Sequence, residues 1–162
     1  MNAKFLTAAA LLLCSGLIQA ATLQGKVVSV ADGDTVTVLD AQKTQHKIRL
    51  QGIDAPEKAQ AFGNKSKQSL HELVHGKQVT VEYQKKDKYG RVVGKVMLNN
   101  NDVCQEQVTR GMAWHYKAYA SEQSKEEQES YAQAETKAQA QSMGLWKEKT
   151  PTPPWVFRKQ AK

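Results

Sequence analysis

The stretch Ile48-Arg49-Leu50-Gln51-Gly52-Ile53-Asp54-Ala55-Pro56-Glu57 carries one guanidinium and two carboxylates within ten residues. An arginine fork binds two oxygens of a phosphate at once. Carboxylates suit a hard cation or an attacking water. A phosphate clamp, a cation site and a base or water-holder are together the parts that phosphodiester chemistry needs. Two further groups could join them. Asp34 lies just behind the turn Ala31-Asp32-Gly33, and Arg91 closes the turn Asp87-Lys88-Tyr89-Gly90-Arg91. Each of these is unremarked alone, since charged residues are common in turns. Whether they meet depends on the elements that carry them.

Those elements follow from period-two alternation and turn chemistry. Strands are predicted over Leu23–Val30, Thr35–Leu39, His46–Gln51, Val79–Tyr83 and Val92–Leu98. Arg49 leaves the third strand on the face opposite Ile48 and Leu50. Asp54 and Glu57 follow its end, past Gly52 and before and after Pro56. Helices are predicted over Ser66–His75, stopped by Gly76, over Val103–Arg110, stopped by Gly111, and over Ser121–Ser142. In the last, Glu126, Glu127 and Glu129 form a solvated face near the helix start, and Tyr131, Ala134 and Ala138 the buried stripe. Three strands, a helix, two strands and then helices predict an α+β, mainly β fold: a five-stranded OB-fold Greek-key barrel with three helices.

The chain has 162 residues and a formal net charge of +7. Lys4, the apolar run Phe5–Leu13 and the small residues Ala20 and Ala21 read as a secretory signal peptide over 1–20. The run is too short to span a bilayer. The expected organisation is this segment, a domain over 21–147 and a proline-rich tail over 148–162. Pro151, Pro153 and Pro154 make that tail extended, with Trp155 placed to dock it. The protein is thus expected to be secreted or periplasmic, monomeric and without stable membrane insertion. A basic domain of this kind is drawn to polyanions such as nucleic acid. Beyond the signal segment Cys104 stands alone, so an internal disulfide is excluded. It reads as a small core residue.

The chain resembles the staphylococcal nuclease, or thermonuclease, family. The resemblance rests on Asp32-Gly33-Asp34-Thr35-Val36, on Arg49 followed by Asp54-Ala55-Pro56-Glu57, and on Asp87-Lys88-Tyr89-Gly90-Arg91, in that order and at compatible spacings. Gly144-Leu145-Trp146 adds to it, and it runs from about Leu23 to Trp146. It implies a Ca²⁺-dependent endonuclease that hydrolyses DNA and/or RNA and leaves 3′-phosphate ends. It further implies that Asp34, Asp54 and the carbonyl of Ala55 hold Ca²⁺, and that Glu57 activates or orients the water. Arg49 and Arg91 are then the residues that bind the scissile phosphate. Tyr116 and Tyr119 fall near aromatics that line the family's nucleotide groove, and Lys88 and Tyr89 are also candidates to touch nucleic acid. The other place for either Tyr116 or Tyr119 is the core beneath the last helix. Two carboxylates and a carbonyl supply only part of the roughly six to eight oxygens calcium takes, so its binding is expected to be weak without substrate.

Two other readings compete. A barrel of this kind can bind nucleic acid without cutting it, but intact Asp34, Asp54, Glu57, Arg49 and Arg91 argue for catalysis. His71-Glu72-Leu73-Val74-His75 matches the zinc-protease pattern H-E-x-x-H on a predicted helix. That helix ends at Gly76, no convincing third ligand lies downstream, and Leu70, Leu73 and Val74 already explain it as a cover for the core. His46 and His115 carry no motif and read as surface or boundary residues.

Overall fold

The computed structural model of the protein describes residues 21–160. The predicted signal segment lies outside them. Strands β1 (Ala21–Val30), β2 (Thr35–Leu39) and β3 (Gln45–Leu50) form an antiparallel meander in which Val27 faces Val38 and Thr35 faces Arg49. A two-residue strand β4 (Ile53–Asp54) and helix α1 (Gly63–Val74) follow. Strand β5 (Gln78–Lys86) then pairs antiparallel with β1, and β6 (Val92–Leu98) with β5. Finally β6 returns beside β3 in parallel, Ile48 opposite Val92 and Arg49 opposite Val93, which closes a five-stranded barrel. This is the predicted OB-type architecture. Alternation accounts for its interior: Val36, Val38, Ile48, Leu50, Val81 and Val96 all point inward and are buried.

The later elements cover the barrel and build one rim. They are β7 (Asn101–Asp102), α2 (Val103–Thr109), β8 (Trp114–His115), a 3-10 helix over Lys117–Glu122, α3 (Lys125–Ala140), a 3-10 turn over Gly144–Lys147 and α4 (Pro154–Gln160). Asp102 caps α2 by accepting from the N–H groups of Cys104 and Gln105. Cys104 is buried in α2, as expected of a core residue. On α3, Tyr131 and Ala138 are buried as expected and Ala134 packs against the core.

Several boundaries differ from expectation, each for a local reason. Helix α1 starts at Gly63 rather than Ser66, after Phe62 in the left-handed region (φ 63°) with no side-chain cap to announce it. Helix α3 starts at Lys125 rather than Ser121, because Ser124 and Glu127 close a capping box and Ser121 belongs to the preceding 3-10 helix. The tail is not extended throughout. Pro154 occupies the first helical position, where its missing N–H costs nothing, and the N–H groups of Val156 and Phe157 both reach the Pro153 carbonyl at 3.0 Å. His115 is not a surface residue. It lies buried in β8 beneath α3, its ring paired with Gln123 Oε1 at 3.0 Å and its backbone N–H donating to Glu135 Oε1 at 3.0 Å. Glu135 is itself buried and also accepts from Lys117 at 2.6 Å. His71 on α1 and His75, which caps its C-terminus, stack with ring centroids 4.2 Å apart. Among the described residues neither belongs to a group of three side chains able to hold a metal ion.

A candidate active site at the barrel rim

The turn between β1 and β2 sets Asp34. Gly33 is required there by close approach, since a Cβ would stand 1.9 Å from Ser66 Oγ of α1. The turn is held from below by Gln107 of α2, which is fully buried. Gln107 Nε2 donates to the carbonyls of Gly33 at 2.9 Å and Ser66 at 3.2 Å, and its Oε1 accepts from Ser69 Oγ at 2.7 Å. Above it, Asp34 Oδ1 accepts from Thr35 Oγ1 at 3.0 Å and Oδ2 from the Ala55 N–H at 2.8 Å. Asp32, in the same turn, accepts from the Asp34 N–H at 3.0 Å. Burial and the neighbouring charge of Asp34 push the Asp32 carboxyl up to about 6.

Asp54 is fixed by a ribbon. Strand β4 pairs antiparallel with β8, Ile53 opposite His115 and Asp54 opposite Trp114. The residue is 1% exposed. Burial pushes its carboxyl above the ordinary range, while Arg158 and Arg49 pull it back. Arg49, leaving β3, joins both acids. Its Nη2 lies 3.0 Å from Asp54 Oδ1 and 3.2 Å from Asp34 Oδ2. Its Nη1 donates to the carbonyls of Leu50 at 2.8 Å and Ile53 at 2.9 Å. One nitrogen therefore marks the point on which both carboxylates converge. Glu57, in the loop after β4, is half-exposed and accepts from Arg158 Nη1 at 2.8 Å.

The turn between β5 and β6 forms the opposite wall. Asp87 Oδ1 accepts from the N–H groups of Tyr89 and Arg91, and its Oδ2 takes Arg91 Nε at 2.7 Å. Among the described residues the two Nη nitrogens of Arg91 have no hydrogen-bonded partner. Among the described residues Tyr89 and Tyr119 are the exposed large hydrophobic side chains, 72% and 51% open to solvent. Lys88 sits over the Tyr89 ring and Lys85 over the Tyr119 ring, at 5.1 and 5.8 Å from the centroids. Tyr116 leans on Tyr119 with centroids 5.1 Å apart. Burial, then the nearby Asp54 charge, raise its hydroxyl pKa.

All the residues expected to form the nuclease site line one cleft of about 650 Å³: Asp34, Arg49, Asp54, Ala55, Glu57, Lys88, Tyr89, Arg91, Tyr116 and Tyr119. Neither tyrosine is in the core beneath the last helix. The cleft also contains Arg158, which sequence reasoning left in the tail. The only trace of it is spacing: Arg158 falls three residues after Trp155, hence on the same side of a helical turn. Trp155 docks as expected, with its ring 5.2 Å from Tyr116 and 5.6 Å from Trp114.

Comparison with known proteins finds nuclease relatives. A family model described as staphylococcal nuclease homologue matches residues 47–148. An uncharacterized endonuclease of Escherichia coli is 40% identical over 139 residues, covering 85% of this chain and 86% of its own length. An uncharacterized endonuclease of Haemophilus influenzae is 38% identical over 137 residues, covering 85% of this chain and 74% of its own. A micrococcal nuclease of Shigella flexneri is 34% identical over 167 residues, covering 96% and 91%.

Proposed function

The chain belongs to the staphylococcal nuclease family, and from that premise we propose that it is a Ca²⁺-dependent endonuclease of DNA and/or RNA that leaves 3′-phosphate ends. The observation that carries the reading is the convergence of Asp34 and Asp54 on one nitrogen of Arg49, in a cleft whose other wall presents Arg91.

The donor set fits a hard divalent cation. Two carboxylates lie side by side, each within 3.2 Å of Arg49 Nη2, and among the described residues neither sulfur nor imidazole lines the cleft. Asp34 and Asp54 would hold the ion, with the Ala55 carbonyl beside them. Among the described residues no three acidic, imidazole or thiol side chains cluster tightly enough to bind an ion unaided. Water and the substrate phosphate complete such a site, which makes binding weak without substrate. Bound there, Ca²⁺ would neutralise charge on the phosphate oxygens.

The protein's own groups do the rest. Arg91 turns its free Nη ends to the phosphate while Asp87 fixes its Nε, so its fork is preorganised for the charge that develops in the transition state. Arg49 presents its remaining N–H from a guanidinium locked by two carbonyls. Glu57 accepts a hydrogen bond from the attacking water and orients it. Tyr119 and Tyr89 offer exposed faces on which bases stack without sequence preference, beside Lys85 and Lys88 for the backbone. We extend the proposal to a monomer acting outside the cytoplasm. The charge and apolar run of the leading segment support that location, and among the described residues no helix is long and apolar enough to cross a membrane.

Purified protein incubated with DNA and with RNA, in Ca²⁺ or in a calcium chelator, tests this. Cleavage that stops in chelator, returns with Ca²⁺ and yields ends extendable only after phosphatase treatment is the expected result. Binding without cleavage identifies a non-catalytic barrel instead.

A further inference from the structure

Arg158 reaches the centre of the cleft from α4. Its Nη1 donates to Glu57 Oε1 at 2.8 Å and Asp54 Oδ1 at 3.2 Å, and its Nη2 to Asp54 Oδ2 at 2.8 Å. Asp54 Oδ1 also accepts from Arg49 Nη2. Both oxygens of Asp54 thus face guanidinium nitrogens. The two arginines are not equivalent, however. Arg49 is fastened to the carbonyls of Leu50 and Ile53 whatever happens to Asp54. Arg158 holds the site through carboxylates alone among the described residues, and its side chain is 42% exposed. Of the two, Arg158 is the one free to leave.

We propose that Arg158 and the divalent cation are competing partners of Asp54, so that helix α4 sets the affinity of the site for its metal. The inference rests on the cation reading of Asp34 and Asp54. An ion held at about 2.3–2.6 Å from a carboxylate oxygen needs the lone pairs that Arg158 engages. Charge points the same way. Asp34, Asp54 and Glu57 against Arg49 and Arg158 leave one net negative charge. Exchanging Arg158 for a divalent cation makes the cluster neutral, whereas keeping both leaves one net positive charge and sets two cations against one buried carboxylate.

The anchoring of α4 makes the exchange local. Trp155 stacks on Tyr116 at an interplanar angle of 28° and meets Trp114 edge-on. Gln60 holds the Thr152 carbonyl. Tyr116 follows β8, and β8 pairs with the strand that carries Asp54. The tail is therefore docked on the same ribbon as the proposed ligand, and Arg158 can swing away while Trp155 stays seated. Arg158 acts here as a positioning residue, holding Asp54 and Glu57 and yielding Asp54 to the ion.

Calorimetric titration of Ca²⁺ into the full chain tests the competition, using wild type, Arg158→Ala, Arg158→Lys and Asp54→Asn at one ionic strength. Circular dichroism checks that each variant is folded. Arg158→Ala is expected to bind Ca²⁺ about tenfold more tightly, the scale of one well-formed charge-assisted pair. Arg158→Lys, which cannot grip both oxygens, should fall between. Asp54→Asn should abolish binding. In wild type, the Arg158 Nε–H resonance should move as Ca²⁺ is added while the Trp155 indole resonance does not. Equal or weaker binding by folded Arg158→Ala overturns the competition alone. No binding by any variant, even with a non-cleavable oligonucleotide present, overturns the cation assignment itself.

Discussion

Replacing Gln107 by alanine should cost the protein more stability than any exposed substitution in the cleft, although Gln107 touches no substrate. The side chain is fully buried and makes three hydrogen bonds, to the Gly33 carbonyl, the Ser66 carbonyl and Ser69 Oγ. A buried hydrogen bond contributes about 1 kcal/mol net, and unpaired partners left behind cost at least as much. The cavity adds about 1 kcal/mol more, since α1, α2 and the Asp32–Asp34 turn cannot all collapse into it. The expected loss is thus roughly 3–4 kcal/mol, enough to lower the melting temperature by about 10 °C in a domain of this size. Urea unfolding followed by far-ultraviolet circular dichroism measures it, with an unchanged m-value showing that the unfolded state is not altered. Gln105→Ala is the control. It lies on the same short helix, half-buried and without a side-chain bond, and should shift stability by no more than about 0.5 kcal/mol. A loss below about 1 kcal/mol for Gln107→Ala, or equal losses for the two variants, refutes the view that this network supports the turn carrying Asp34.

Arg91→Ala should fold like wild type, because its contacts lie within one turn, yet lose about 10²–10³ in kcat as expected for removing one preorganised charge donor; near-wild-type turnover in a steady-state nuclease assay would remove it from the mechanism. Glu127→Ala removes the half of the capping box in which its carboxylate accepts from the Ser124 N–H, together with the 2.7 Å pair with Lys95. Thermal melting should show a loss of about 1–1.5 kcal/mol, and no change would mean the box is dispensable. Asp40 is held below the ordinary carboxylate range, first by its hydrogen bond to His46 and then by the Thr44 N–H. A carboxyl depressed in the folded state stabilises above its unfolded pKa, and that contribution drains as pH falls through the lower folded value. Acid unfolding of Asp40→Asn should therefore differ from wild type above about pH 4 and converge with it at lower pH; parallel curves throughout would show that the contact carries no linkage.

The carboxylates and arginines of the candidate site were readable because they sit in local motifs. Asp32-Gly33-Asp34, Asp54-Ala55-Pro56-Glu57 and Asp87–Arg91 each join turn chemistry to charge within a few residues. Turn geometry depends on neighbours in sequence, so those segments could be recognised one at a time. The barrel was legible for a similar reason: Val36, Val38, Ile48 and Leu50 alternate as a pleated strand requires. Gln107, His115 and Glu135 were not legible. Each is a polar residue whose burial is set by partners at long separation, Gln107 with Gly33 and His115 beneath α3. No pattern along the chain marks a polar group that will be satisfied by a distant one.

The tail shows the same division most sharply. Three prolines and a tryptophan suggested an extended segment that docks. The docking followed from the apolar ring, but the helix from Pro154 and the reach of Arg158 did not. Sequence alone determined which residues could bind phosphate, metal and water, because side-chain chemistry and short-range turns are local properties. Only the tertiary structure decided that Asp34 and Asp54 share one nitrogen of Arg49 and that a third guanidinium arrives from the far end of the chain. Those facts depend on the parallel closure of β6 on β3 and on the β4–β8 ribbon, long-range pairings that bring distant residues to one rim.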